Sequence, residues 1–198
     1  ALEYPIEADV IVPIPDSGVP AAIGYSQQSG IPFEVGIIRN HYVGRTFIEP
    51  LQSIRQFGVK LKHSVNRSVI KGKRVVLIDD SLVRGTTANK VVKMVFEAGA
   101  TEVHLGISSP PIKYPDFYGL DTPHYHELLA SEHNINEMTK IVGATSLFFI
   151  SLEGIYKSMG YESRNNECPQ FTDHCFTGDY PVNIDDHEKL LLKQVNHK

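Results

Sequence analysis

The chain has no tryptophan, three methionines and two cysteines in 198 residues. Two thiols, Cys168 and Cys175, cannot build a disulfide framework. Stability must then come from a buried core, and a chain of this length can supply one without covalent staples. A reducing cytoplasm is the expected setting. No apolar run reaches the roughly 18–20 residues that a membrane span needs. The longest, Ser146–Leu152, is strand-sized. A basic segment leading into an apolar stretch is missing at the N-terminus, so no secretion signal is visible. There is no initiator Met, and Ala1 stands almost inside a strand pattern, as expected of an excerpt from a longer protein. Internal repeats and low-complexity tracts are also missing. What remains is the length and composition of one α/β domain with added segments, or of two small domains.

The net charge of −4 speaks against bulk nucleic-acid binding. Its distribution says more. Residues 36–74 hold nine of the 19 Lys and Arg residues, from Arg39 and Arg45 to Lys73 and Arg74, against the single acid Glu49. A solvated face is the plain reading of such a run taken alone. Beside an anion-binding motif it points instead to a small polyanionic ligand.

The pattern along the chain is that of a doubly wound α/β fold. Val10–Val12 reads as a buried strand followed by the loop Pro15-Asp16-Ser17-Gly18, and Val19–Ser29 as a helix stopped by Gly30. Val35–Ile38 reads as a second strand, and residues 40–73 as a long polar, basic stretch of the kind that forms functional lids or is disordered. Val75–Ile78 is a β-branched run suited to a strand buried on both faces. From Thr87 to Ala98 the spacing turns helical, with Gly99 as the stop. Val103–Ile107 follows as a strand, Glu127–Ala130 and Ile135–Val142 as helices, and Leu147–Ile150 as a strand. Ser151 is placed to cap a helix over Leu152–Met159. The pattern fades after about Arg164. The expected fold class is an open, mostly parallel, doubly wound sheet flanked by helices. The expected division is a main domain over 1–164 and a C-terminal extension over 165–198.

The segment Val75–Thr87, VVLIDDSLVRGTT, carries the chemistry. Asp79 and Asp80 stand directly after four buried apolar residues, where open parallel sheets bind ligands. Adjacent carboxylates there repel each other unless Mg²⁺ or sugar hydroxyls lie between them and the ligand. Ser81, Leu82, Val83, Arg84, Gly85, Thr86 and Thr87 then run into a helix N-terminus, whose amides and dipole favour an anion. Gly85 permits close backbone approach, the hydroxyls donate, and Arg84 adds charge. Together these make a phosphate cradle beside a diol-and-metal clamp. The alternative for a bare strand-Asp-Asp-turn is a capped helix with surface acids.

The thirteen-residue string resembles the 5-phosphoribosyl-1-pyrophosphate (PRPP) motif of the phosphoribosyltransferases. Its Arg84-Gly85-Thr86-Thr87 form is similar to that of the PRPP amidotransferase (amidophosphoribosyltransferase) branch. Arg39–Ile48, RNHYVGRTFI, resembles that branch's flexible-loop signature, where Asn-Arg-Tyr is more usual than Asn40-His41-Tyr42. Pro13–Gly18 resembles its pyrophosphate loop. Ser109-Pro110-Pro111, Phe117–Asp121, Cys175–Gly178 and Tyr180-Pro181 agree as well, so the likeness spans roughly residues 8–182.

The resemblance implies a type I phosphoribosyltransferase fold that joins ammonia to PRPP, giving 5-phosphoribosylamine and pyrophosphate in the first step of purine synthesis. It implies that Asp79, Asp80 and Ser17 hold Mg²⁺, and that Asp16, Ser17 and Gly18 hold pyrophosphate. Ser81–Thr87 would hold the 5-phosphate. Arg39, Tyr42, Arg45 and Lys62 would act from a lid over 39–63. It further implies feedback by AMP and GMP, a homotetramer, a cytoplasmic location, and neither nucleic acid nor membrane as partner. Full-length members open with a glutaminase domain whose N-terminal Cys attacks glutamine. Nothing in this chain plays that part, since Ala1 opens on the synthase half. A subset carries a four-cysteine iron–sulfur cluster. Here Asp116 replaces one of those cysteines and the Cys-x-x-Cys pair is missing, so no cluster is expected, and Cys168 and Cys175 are expected to be ordinary thiols. His104, His124, His126 and His133 show no metal-ligand spacing with partners; the alternative for His124-x-His126 is a ligand pair on a strand. The rival expectations are a phosphoribosyltransferase acting on a base, a non-catalytic PRPP sensor, and a PRPP synthetase.

Overall fold

A computed structural model describes residues 1–40, 63–119, 122 and 124–182. Four parallel strands form the central sheet in the order β1-β4-β5-β6: β1 (Val10–Pro13), β4 (Arg74–Asp79), β5 (Glu102–Ile107) and β6 (Ser146–Phe149). β2 (Ile37–Arg39) and β3 (His63–Val65) make a separate antiparallel ribbon. The helices are α1 (Val19–Ser29), α2 (Arg67–Ile70), α3 (Thr86–Glu97), α4 (Leu129–Glu132), α5 (Ile135–Val142), α6 (Leu152–Ser158) and α7 (His174–Thr177).

Strand alternation divides the core in two. Val75, Leu77, Val103, Leu105, Leu147 and Phe149 face one way, against Ala88, Val91, Val92 and Val95 of α3 and Met138 and Val142 of α5. Ile11, Val76, Ile78 and Phe148 face the other, against Ala22 and Tyr25 of α1. Each buried Val, Leu or Ile side chain stabilises by roughly 1.5–3 kcal/mol relative to exposure. Both faces being covered is why β4 reads as an unbroken apolar run.

Local signals account for the helix ends. Pro20 lies in the first turn of α1, and Gly30 closes it at φ 74°. Asn134 and Glu137 form a reciprocal capping box on α5, and Gly143 ends it at φ 74°. The Ser151 hydroxyl accepts from the Gly154 amide at the start of α6.

Several expectations need correction. The second strand begins at Ile37 instead of Val35, because Gly36 is wedged against Val12 and Ile70 while Val35 lies exposed. Residues 63–73 are not loop: Asn66 accepts from the Ser68 amide and caps α2, and Ile70 is fully buried. The two ends of the expected 39–63 lid are paired in the ribbon, Arg39 opposite His63. Tyr42, Arg45 and Lys62 lie outside the described residues. The helix expected over Glu127–Ala130 is a 3-10 turn over Tyr125–Glu127 followed by α4. Beyond Arg164 the pattern fades but structure continues. Arg164 bonds Asp173 at 2.6 Å and also bonds Asp179, while Tyr156 donates to Asp173 at 2.8 Å.

Candidate active site

β1 and β4 are parallel neighbours, with Pro13 opposite Ile78. Their following loops therefore leave the same sheet edge side by side. α1 then crosses one face and α3 the other, so the crevice between these loops is a topological switch point, where open α/β sheets place their ligands.

The β1 side is the turn Asp16-Ser17-Gly18. The Ile14 amide donates to the Ile78 carbonyl at 2.8 Å, and the Gly18 amide donates to the Ile14 carbonyl at 3.0 Å. A Cβ on Gly18 would collide with the Ile78 carbonyl oxygen, so only glycine lets the two loops lie this close. The Pro15–Asp16 peptide is cis. The Ser17 hydroxyl donates to Asp80 Oδ1 at 3.1 Å. Arg39 pairs with Asp16 at 2.6 Å, bringing one expected lid cation onto the expected pyrophosphate loop.

On the β4 side, Asp79 ends the strand half-buried and Asp80 is exposed beside it. The Asp80 amide donates to Asp79 Oδ1 at 3.0 Å, and the Ser81 hydroxyl to Asp80 Oδ2 at 3.3 Å. Burial, reinforced by Asp80, pushes the Asp79 carboxyl up to about 7. Two carboxylates with the Ser17 hydroxyl are hard oxygen donors, the set that suits Mg²⁺. A cation there would offset both the burial and the Asp80 charge that raise Asp79.

The loop then enters α3. Gly85 sits at φ 74° with no side-chain cap on the helix. The first amides of α3 are thus left for an anion. Gly85 also packs closely, since a Cβ would come within 2.8 Å of Leu129. Thr86 and Thr87 are exposed at this end. Leu82 points into the core, so its contribution to a ligand is confined to its backbone. The Val83 carbonyl accepts from the Leu129 amide at 2.8 Å. Arg84 pairs with Glu127 at 3.0 Å, so its charge is shared with a carboxylate.

Two features were missed in sequence reasoning. Ser108, directly after β5, donates to the Asp79 carbonyl through its amide at 2.9 Å and its hydroxyl at 3.1 Å. Its place at the same sheet edge was the available signal. Asp116, His174 and Cys175 meet in a group that spacing could not show, because Asp116 and His174 are 58 residues apart. Cys168 is exposed, whereas Cys175 is half-buried beside the other two. Burial, with the nearby Asp116 carboxylate, pushes the Cys175 thiol up to about 11.

The chain is 63% identical over 185 residues to the amidophosphoribosyltransferase of Rhizobium etli, covering 93% of this chain and 37% of that protein. It is 52% identical over 184 residues to the Bacillus subtilis amidophosphoribosyltransferase, covering 93% of this chain and 38% of that protein. The chain thus spans well under half the length of these relatives. A solved structure, the glutamine PRPP amidotransferase of B. subtilis complexed with ADP and GMP, superposes with a TM-score of 0.81 at 52% identity. That match covers 92% of this chain and 40% of the other. The phosphoribosyl transferase domain model matches residues 1–110, which include both loops of the crevice. The chain belongs to the phosphoribosyl transferase domain family.

Proposed function

We propose that this chain is the synthase portion of an amidophosphoribosyltransferase, which makes 5-phosphoribosylamine and pyrophosphate from PRPP and ammonia. One observation carries the reading. The Ser17–Asp80 bond ties the β1 turn to a carboxylate pair that leads into an uncapped helix N-terminus. A ligand with a phosphate at one end, a diol in the middle and a pyrophosphate at the other fits these three subsites in that order. The similarity to named amidophosphoribosyltransferases supports ammonia as the acceptor.

In this reading the α3 amides with Ser81, Thr86 and Thr87 hold the 5-phosphate. Asp79 and Asp80 orient the ribose 2- and 3-hydroxyls. They also face the positive charge that develops on the ring as the C1–O bond breaks. The Asp16–Gly18 backbone and Ser17 hold the pyrophosphate. The nitrogen lone pair of ammonia forms the new bond to C1. The electron pair of the broken bond leaves on the pyrophosphate oxygen, and the product ammonium gives a proton to solvent. Asp79, Asp80 and Ser17 would hold Mg²⁺, which neutralises charge on the leaving group.

Arg39, Tyr42, Arg45 and Lys62 are assigned to a lid that excludes water, because water would otherwise compete with ammonia for C1. Arg39 would exchange Asp16 for the pyrophosphate when the substrate enters. Feedback by AMP and GMP, a homotetramer, a glutaminase partner in the longer polypeptide and a cytoplasmic location belong to the same proposal. ADP and GMP bound to the B. subtilis relative support the nucleotide part.

The test is pyrophosphate release from PRPP with ammonia, set beside a panel of purine and pyrimidine bases. Ammonia alone should support turnover. Turnover with a base and none with ammonia would overturn the assignment.

A further inference from the structure

Away from the crevice, three metal-ligating side chains from distant stretches converge. Asp116 lies in the loop beyond β5, and His174 and Cys175 open α7. His174 Nε2 is 2.7 Å from Asp116 Oδ2, Cys175 Sγ is 3.4 Å from His174 Nε2, and Sγ is 3.9 Å from Asp116 Oδ2. We propose that Asp116, His174 and Cys175 form a binding site for one divalent transition-metal ion of the zinc class.

Three features of the site carry this. First, the donor set is right: thiolate, imidazole and carboxylate together suit zinc or cobalt, not the hard cations that prefer oxygen alone. Second, the spacing is right. Metal–ligand bonds of about 2.3 Å to sulfur and about 2.0–2.2 Å to nitrogen and oxygen place the ligands of a tetrahedral ion roughly 3.3–3.6 Å apart. The three observed separations bracket that range, so small side-chain rotations bring all three donors to one centre. Third, the donors are held. His174 and Asp116 are 4% and 5% exposed. The His174 ring is flanked by Tyr118 and Tyr180, each with its ring centroid 5.0 Å away. The Tyr118 amide donates to Asp116 Oδ1 at 2.8 Å, which leaves Oδ2 turned toward the other two donors. The 2.7 Å contact with the Asp116 carboxylate favours a proton on His174 Nε2, and metal binding would shift that proton to Nδ1, which has no hydrogen-bond partner among the described residues.

Three protein ligands leave a fourth position for water. Binding releases the Cys175 thiol proton to solvent and moves the His174 proton from Nε2 to Nδ1, so the imidazole coordinates as a neutral ligand. The ion would clasp residues 173–180 onto residues 113–118, which already touch. The Lys113 amide donates to the Cys175 carbonyl at 2.9 Å, and the Tyr180 hydroxyl to the Pro115 carbonyl at 2.8 Å.

The experiment titrates the metal-stripped chain with Co²⁺ and reads the visible and near-ultraviolet spectrum, independently of turnover. One equivalent should produce a tetrahedral cobalt spectrum with a thiolate charge-transfer band, displaced by Zn²⁺. The band should vanish in Cys175→Ser, weaken in Asp116→Asn and survive in Cys168→Ser. Circular dichroism of each variant establishes that it is folded. Zn²⁺ should raise the unfolding temperature of the unaltered chain by on the order of 5 °C and leave that of Cys175→Ser unmoved. A missing thiolate band, or one that persists in Cys175→Ser and is lost in Cys168→Ser, would overturn the proposal and leave the group as a hydrogen-bonded clasp.

Discussion

The Ser17 hydroxyl reaches 3.1 Å to Asp80 Oδ1, across 63 residues of sequence, and joins the two loops that define the crevice. The bond is exposed, so it adds little to stability. Its value is to fix where one carboxylate points relative to the β1 turn. Ser17→Ala should leave the unfolding free energy within about 0.5 kcal/mol of the parent. It should raise KM for PRPP roughly tenfold, a loss of about 1.4 kcal/mol of binding. Steady-state kinetics paired with denaturant unfolding checks both halves.

Asp79 makes stability depend on pH in a stated direction. Its folded pKa, about 7, lies above that of an unfolded Asp. Between those two values the folded chain binds more protons than the unfolded one. This group's contribution therefore worsens as pH rises toward 7 and is fully unfavourable above it. Asp79→Asn should then stabilise the ligand-free chain at pH 8, by on the order of 2 kcal/mol, and much less at pH 4. Thermal melts at the two pH values test this. A variant equally stabilised at both would place the cause elsewhere. PRPP binding by the same variant should be strongly weakened, a trade of stability for function.

Gly18→Ala should be costly. The added methyl meets the Ile78 carbonyl oxygen, and also the Ile14 carbonyl oxygen at 2.9 Å. Backbone cannot move aside as a side-chain end can, so roughly 3 kcal/mol or more of stability should be lost. Urea unfolding measures it. An alanine variant of parental stability would show that the two loops are not in this contact.

Arg164 anchors the C-terminal segment through Asp173 and Asp179. Burial pushes Asp173 up, but the bonds from Arg164 and Tyr156 outweigh it and hold the carboxyl low. Arg164→Ala leaves that buried carboxylate without its main partner, at a cost on the order of 3 kcal/mol at pH 7. A lowered carboxylate pKa stabilises above the unfolded value and loses that effect as pH falls, so the deficit should shrink in acid. Unfolding titrations at pH 7 and pH 3 give the comparison.

Legibility in the sequence followed the range of the signal. α1 ends at Ser29 as the pattern predicts, because Gly30 is a local stop. β4 was legible because burial on both faces gives an unbroken apolar run. Asp79 and Asp80 followed from their place at its end. The three-residue β2 and β3 are too short for any period to register, and their pairing depends on residues 24 to 28 apart. Arg84 adds positive charge to the loop in sequence, yet Glu127, 43 residues on, pairs with it. Ser108, Arg164, Asp173 and the Asp116–His174–Cys175 group likewise acquire their roles through distant partners.

The most direct test of the central claim is ammonia-dependent pyrophosphate release from PRPP, measured for the parent chain and for Asp79→Asn with Asp80→Asn. Release should require Mg²⁺ and ammonia in the parent and be lost in a double variant that remains folded by circular dichroism. Release by the folded double variant at a rate close to the parent's would contradict the claim.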